Sequence, residues 1–233
     1  MSHVQSSDWS LSLLGPWQLF FDEQAVHVSR RQQRLIAALA LLPCMPRHLL
    51  AYTLWPESTE VQASGNLRSA LWRVAHELPG LLSPSGETLQ LDAEVSVDVI
   101  VLRQSVDRVI HHEWGDETIM LPLLRHAELL PGWYEDWIIF EQEHLQALRR
   151  FALEELCRHF LAKNEHMNAL DAALLAVEIQ PLSEVAHGLL VQAQLGLGNR
   201  VAAIRHAESF RVALRRELGI DPPRWFNELL LEL

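Results

Sequence analysis

A repeat in the last third of the chain restricts the fold more than any other feature. The run Asn164-Glu-His-Met-Asn-Ala-Leu-Asp-Ala-Ala-Leu has a counterpart 34 residues on, Gly198-Asn-Arg-Val-Ala-Ala-Ile-Arg-His-Ala-Glu. Under that shift Leu156 falls on Leu190, Leu161 on Leu195, Ala169 on Ala203, Leu170 on Ile204 and Ala173 on Ala207. A helical hairpin of this period, with small residues where helices cross, is the tetratricopeptide pattern, and such repeats stack into a curved surface used for protein contact. The long apolar-periodic stretch from Trp137 to Ala162 leads into it. The same alanines also suit a plain helical scaffold, so the pattern fixes the fold class before it fixes a role.

The first third reads differently. Trp9-Ser-Leu-Ser-Leu-Leu alternates, Gly15-Pro16 turns, Trp17-Gln-Leu-Phe-Phe alternates again, and Val26-His-Val28 follows, which predicts a small antiparallel sheet. Ser29 is a fitting N-cap for a helix from Arg30 to Leu42 with Leu35, Ala38, Leu39 and Leu42 inward. Arg30, Arg31 and Arg34 crowd its first turns, where the helix dipole disfavours cations, a placement that suits a nearby anion beside the commoner reading of solvated arginines. Pro43 and Pro46 bracket a break, and Arg47 to Trp55 makes a second, shorter helix with Leu50, Leu54 and Leu49 inward.

After the loop Pro56-Glu-Ser-Thr-Glu comes a helix over Ala63 to Leu78 with two faces. At about 100° per residue, Leu67, Ala70, Leu71, Val74 and Leu78 form one stripe, while Asn66, Arg68, Ser69, Trp72, Arg73 and His76 spread over the other side. That outer face has two guanidiniums, an amide, a hydroxyl, an imidazole and an indole but no carboxylate, an inventory suited to phosphates and base edges of double-stranded DNA. Helix, short helix, turn and longer helix is the helix-turn-helix order, with the later helix in the major groove. Leu81-Leu82, a turn at Ser83 to Gly86 and Thr88 to Leu91 then predict a β-hairpin in the place of a wing.

Charge supports the division. The net charge is −11, yet Gln24 to His76 holds six arginines against Glu57 and Glu60, a local +4 that leaves the remainder at −15. An acidic body with one arginine-rich segment suits local polyanion binding and repels non-specific DNA. The expected architecture is therefore mainly α: residues 1–9 a disordered tail, 10–99 a winged helix-turn-helix with a small β-sheet and hairpin wing, and 100–233 an all-α tetratricopeptide-like repeat domain. The alternation Val95, Val97, Val99 closes the first domain, and a helix is expected from Ile100 to His111.

Several classes are excluded. No apolar run reaches membrane-spanning length and the polar N-terminus has no signal-peptide pattern, so a cytoplasmic protein is expected. Cys44 and Cys157 lie in apolar surroundings and are expected to be buried free thiols. His111, His112 and Glu113 are adjacent and do not share a face as metal ligands must. Without a phosphate loop, nucleophile elbow or metal-spaced His or Cys set, no enzyme and no cofactor are expected.

Leu13-Leu-Gly-Pro16, Leu54-Trp-Pro-Glu-Ser58, Asn66-Leu-Arg-Ser-Ala-Leu-Trp-Arg73 and Val97-Asp-Val99 in the first domain, with Glu128-Leu-Leu-Pro-Gly-Trp-Tyr-Glu-Asp-Trp137 and Leu214-Arg-Arg-Glu-Leu-Gly-Ile-Asp-Pro-Pro223 in the second, carry a family resemblance. In order and spacing, from about Ser10 onward, the chain resembles bacterial transcriptional activators of the Streptomyces antibiotic regulatory protein (SARP) type: a winged helix joined to a bacterial transcriptional activation domain. The resemblance implies a helix in the major groove, a wing on the neighbouring minor groove, RNA polymerase as a partner of the repeats, and a homodimer on DNA. It gives Arg73 the place of the recognition-helix arginine, sets Arg68 and Ser69 on the same face, and brings Arg47 to the phosphate backbone, where Arg30 and Arg31 would also bind. Trp55 matches an aromatic position that serves as core or as contact. Two departures stand out: Ala75, His76 and Glu77 follow where the family continues with basic residues, and Trp72 replaces a small polar residue. Those departures keep a second expectation open, a repeat-protein adaptor whose winged helix does not read DNA.

Overall fold

The computed structural model describes residues 9–83, 89–114, 117–125 and 127–229. Along the chain it divides into two compact units, Met1–Leu102 with Ala127–Gln142 and Arg103–His126 with Glu143–Leu233.

In the first unit, the alternation predicted for the opening residues gives β1 (Trp9–Ser12), with Trp9 and Leu11 buried, and β2 (Gln18–Phe21), paired antiparallel with Leu11 opposite Leu19. Trp9, counted with the tail in the sequence, belongs to the sheet: its indole donates to Pro79 O at 3.1 Å. Met1 to Asp8 lie outside the described residues. A short β3 (Gln24–Ala25) and β4 (Ser96–Val97) complete the order β3-β2-β1-β4. The expected antiparallel pairing holds for β1, β2 and β3, although the third strand falls at Gln24–Ala25 rather than at Val26 to Val28, and β4 adds to the sheet parallel to β1 with Val97 beside Leu11. The valine alternation does not continue as strand because Asp98 turns the chain into α4 (Asp98–Ile110). Its carboxylate accepts from Ser12 Oγ at 2.8 Å and from the amides of Leu13, Leu14 and Val99 at 2.9, 3.0 and 2.7 Å, tying the end of β1 to the helix start.

Three helices pack on this sheet's unit: α1 (Arg30–Leu41), α2 (Arg47–Leu54) and α3 (Glu60–Glu77). Reciprocal capping boxes start α1 and α3, Ser29 with Gln32 and Thr59 with Gln62, each satisfying amide donors that a helix start leaves unpaired. Every residue from Leu35 to Leu41 is buried, a wider core surface than a single stripe, while Leu42 is only half-buried. Two expectations fail in α2 and the turn before it. Leu49 is exposed. Cys44 is exposed too, because the chain takes a left-handed turn there, with φ 62°, between the two prolines. Apolar neighbours in sequence did not enclose a residue at the tip of a helix–helix turn.

The arms of the expected wing are present. Leu82 bridges Leu91 antiparallel, Ser83 N donates to Gln90 O at 3.1 Å and Asp92 N to Leu81 O at 3.0 Å. The turn itself, residues 84–88, lies outside the described residues. Ala127–Gln142 adds to the same unit through Leu14, which bridges Leu129, through Gly15 N donating to Glu128 O at 2.7 Å, and through Leu130 N donating to Leu13 O at 2.8 Å.

The second unit is helical: the later part of α4, α5 (Glu117–Arg125), most of α6 (Asp136–Ala162), α7 (His166–Ile179), α8 (Glu184–Gly196), α9 (Arg200–Leu218) and α10 (Arg224–Glu228). The sequence did not predict α5, which contains Pro122, or the one-turn α10. Three register pairs of the 34-residue shift are fully buried on both sides, Ala169 with Ala203, Ala173 with Ala207 and Leu156 with Leu190, whereas Leu170 is half-buried and its partner Ile204 exposed. Gly219, at φ 70°, closes α9 in the left-handed conformation. Beyond it Phe226 packs with Val191, Ala203, Ala207, Phe210 and Leu214 and covers the end of the repeats. Cys157 is buried as expected, its Sγ 3.3 Å from Ala169 O, and burial pushes the thiol up to about 12, so it stays protonated and unreactive.

His187, stacked on Phe210 at 3.9 Å, sits between Pro181 O at 2.9 Å from Nε2 and His206 Nε2 at 2.7 Å from Nδ1. A carbonyl only accepts, so His187 carries its proton on Nε2 and accepts from His206 through Nδ1. Burial holds His187 down at about 4 from 6.5 and lowers His206 as well. The unfolded chain therefore takes up protons first on acidification, and stability present above pH 6.5 is lost as the pH falls toward 4. From pH 7.5 to 5, His187 alone is expected to cost about 1–2 kcal/mol, read as a falling urea midpoint, and the slope is expected to be shallower in His187→Leu. Equal slopes in the two proteins would remove this assignment.

Candidate nucleic-acid interface

Helix α3 begins one turn earlier than its apolar pattern, at Glu60, because Thr59 rather than the loop residues before Ala63 supplies the cap. Leu67, Ala70, Val74 and Leu78 are buried, as the inward stripe predicts, with Leu71 half-buried at its margin and Ala63 buried in addition. On the other side Arg68, Ser69, Trp72, Arg73 and His76 are exposed, and Asn66 is half-buried at the edge. Among the described residues neither Arg68 nor Arg73 has a hydrogen-bond or ion-pair partner within the chain, so both guanidiniums are available. Arg47 stands exposed at the first position of α2.

Carboxylates are kept off this face by position and by pairing. Glu60 is at the helix start, and Glu77 accepts from Gln32 Nε2 at 2.6 Å, which ties the end of α3 to the start of α1. Ser69 Oγ donates to Gly65 O at 3.0 Å, which spends its proton and leaves lone pairs for a base amine. Trp72 lies parallel to His76, one turn on, with ring centroids 5.2 Å apart and planes 8° apart, and the residue is 67% exposed. The centre of this face also holds Gly65, where an added Cβ would meet nothing within 4 Å. A glycine in mid-helix is a sequence signal for close approach, and it is absent from the residues expected from sequence to form this face.

The remaining sequence-predicted residues are engaged locally. Arg31 Nη2 donates to Asn66 Oδ1 at 2.6 Å and its guanidinium lies 5.2 Å over the Trp55 ring, which joins α1 to α3. Arg30 lies 3.6 Å over Trp133 and 4.0 Å from Glu135, still half-exposed. Arg34 pairs with Glu135 at 3.0 Å and donates to Leu54 O at 2.8 Å. An anion therefore does stand beside the crowded first turn of α1, and it comes from Ala127–Gln142. Nothing in the local sequence of α1 points to it.

Among the described residues no group of three His, Cys, Asp or Glu side chains is placed to hold a metal ion, and no helix is long and apolar enough to cross a membrane.

A winged helix carrying this face, followed by helical repeats, defines a class of architecture that the comparisons with known proteins specify further. Residues 124–233 match the family described as bacterial transcriptional activator domain, a match that begins within α5 and takes in the segment that packs with the winged helix. The fold is that of EmbR from Mycobacterium tuberculosis, solved in complex with a low-affinity phosphopeptide, with a TM-score of 0.74 and 16% identity over 97% of this chain. This chain spans 65% of that one, just under two thirds of its length. No curated protein matches the sequence. The family match thus falls on the helical repeats, and the likeness of fold takes in the winged helix as well.

Proposed function

We propose that the protein is a cytoplasmic, sequence-specific DNA-binding transcriptional regulator, working as an activator and as a homodimer on repeated half-sites. The observation that carries the reading is the outer face of α3: Arg68 and Arg73, two guanidiniums without a partner among the described residues, flank a polar and aromatic centre without a carboxylate. Helix α3 enters the major groove, Arg73 and Arg68 take base edges or adjacent phosphates, and Asn66, Ser69 and His76 add hydrogen bonds. Arg47 meets the backbone at the start of α2, and Arg30, half-exposed, is better placed for a phosphate than Arg31, whose guanidinium is committed to Asn66. The acidic repeats remain off the DNA by charge and recruit RNA polymerase.

The test is fluorescence anisotropy of the full chain on a duplex selected from a randomised pool, at two salt concentrations. Binding is expected to exceed that of random DNA and to weaken as salt rises. In Arg73→Ala a roughly 5- to 150-fold loss on the selected duplex is expected, with much less on random DNA. No selected duplex, or unchanged discrimination in Arg73→Ala, would overturn the reading. The exposure of Tyr52 at 66% and Trp72 at 67% favours one alternative, an adaptor that uses this surface for a protein. Under that reading DNA does not compete with the partner.

A further inference from the structure

We infer that Trp72 is a specificity-determining residue whose indole, steadied by His76, reads the C5-methyl group of a thymine. The inference rests on the proposal that α3 enters the major groove and adds to it the identity of one base feature.

A tryptophan left two-thirds in solvent on a well-packed helix contributes nothing to the core, since its own unit is closed by Leu67, Ala70 and Val74 on the opposite side. It is also not loose. The parallel stack on His76, with planes 8° apart, joins it to the next turn of the same helix and limits the orientations of the ring. Order without burial prepares a contact, because less side-chain entropy is lost when the partner arrives.

The neighbours specify the partner. Arg68 and Arg73 flank the plate with positive charge, and no carboxylate lies on that face, so a polyanion is complementary. Gly65 and Ser69, two turns and one turn earlier on the same line, are small, and the space over Gly65 is open. The indole is thus the largest exposed apolar group on α3, where Val61 is the other exposed large apolar side chain. In the major groove of a duplex the base edges present donors, acceptors and one apolar group, the thymine methyl. An indole has a single donor and no acceptor, so a plate of this kind discriminates by apolar contact with that methyl rather than by bidentate hydrogen bonding.

The experiment replaces each thymidine of the selected duplex, one at a time, by deoxyuridine, which removes only the methyl and keeps the base pair. Binding of the native full chain is expected to weaken about three- to tenfold at one or two positions and to be unchanged at the others. In Trp72→Ala, whose circular dichroism should match the native protein because the side chain is exposed, the penalty at those positions is expected to vanish. In Trp72→Phe part of it should remain, and in Arg73→Ala it should persist on a weaker baseline. A flat uracil scan in the native protein, or the same penalties in Trp72→Ala, would overturn the role of Trp72 and leave the DNA-binding reading standing. Absence of any preferred duplex would overturn both.

Discussion

Replacing Asp98 by alanine is expected to destabilise the first unit by about 3–4 kcal/mol, the largest loss from any single polar side chain there. The carboxylate has four donors, Ser12 Oγ and the amides of Leu13, Leu14 and Val99, all within 3.0 Å of one of its oxygens. Leu13 is fully buried, so its amide has no access to water once the carboxylate is gone. An unpaired buried donor costs about 1–3 kcal/mol, and here two strand-end amides lose their acceptor together. The negative charge also sits at the start of α4, where the helix dipole favours it. The Asp98→Asn variant retains one acceptor oxygen but turns an amine toward N–H groups, so it should recover less than half of the loss. Urea unfolding followed by tryptophan fluorescence measures the change, and a loss below about 1 kcal/mol in Asp98→Ala would contradict the accounting. The consequence for function is indirect: β1, the α4 start and the Leu13–Leu14 segment that meets Ala127–Gln142 are fixed by the same side chain, and α3 is displayed by the unit they complete.

Local rules are legible in the sequence: Ser29 caps α1, the Leu67–Val74 stripe is buried, and the 34-residue register pairs alanines that share the same burial, whereas the Thr59 cap of α3 lay inside an expected loop. These depend on periodicity and on side chains that bond to nearby backbone. Long-range pairing is not legible in the same way. Glu135 gives no sign in its own surroundings that it will meet Arg34, about a hundred residues away, nor does Trp133 signal that it will lie under Arg30. Periodicity likewise could not show β4 pairing parallel to β1, because a two-residue strand has no period to read. Cys44 fails for the opposite reason: a hydrophobic neighbourhood in sequence was read as burial, whereas the turn geometry between two helices turned the side chain to solvent. On the outer face of α3 the residue types were readable and their local commitments were not. Arg31 and Arg68 look equivalent in sequence, yet one is bonded to Asn66 and the other has no partner among the described residues.

In the second unit the largest expected effect is at Arg149, where methionine in place of arginine should cost about 2–4 kcal/mol although it keeps much of the apolar stem. Arg149 is buried, with Nε and Nη2 donating to Leu124 O at 3.1 and 2.6 Å, Nη2 reaching Arg125 O at 3.3 Å, and Nη1 donating to Gln146 Oε1 at 2.7 Å. Leu124 and Arg125 close α5, and the last carbonyls of a helix have no partner within it. The guanidinium fork therefore serves as the C-cap of α5, placed where the dipole favours a cation. Truncation leaves the buried Leu124 carbonyl unpaired, which neither a lost surface charge nor a lost packing contact would do. Lysine offers donors from a single ammonium without the fixed fork, so Arg149→Lys should recover only part of the loss. The measurement is the urea midpoint of both variants beside the native protein. If Arg149→Met and Arg149→Lys lose equally little, the α5 carbonyls are satisfied without the fork and the cap assignment fails. Because α5 belongs to the second unit and its last residues begin the region matched to the activator-domain family, a cap lost there acts on that unit, whereas Asp98→Ala acts on the unit that carries α3. The pair of variants thus separates loss of the repeat domain from loss of the face proposed to contact DNA when each is tested for DNA binding.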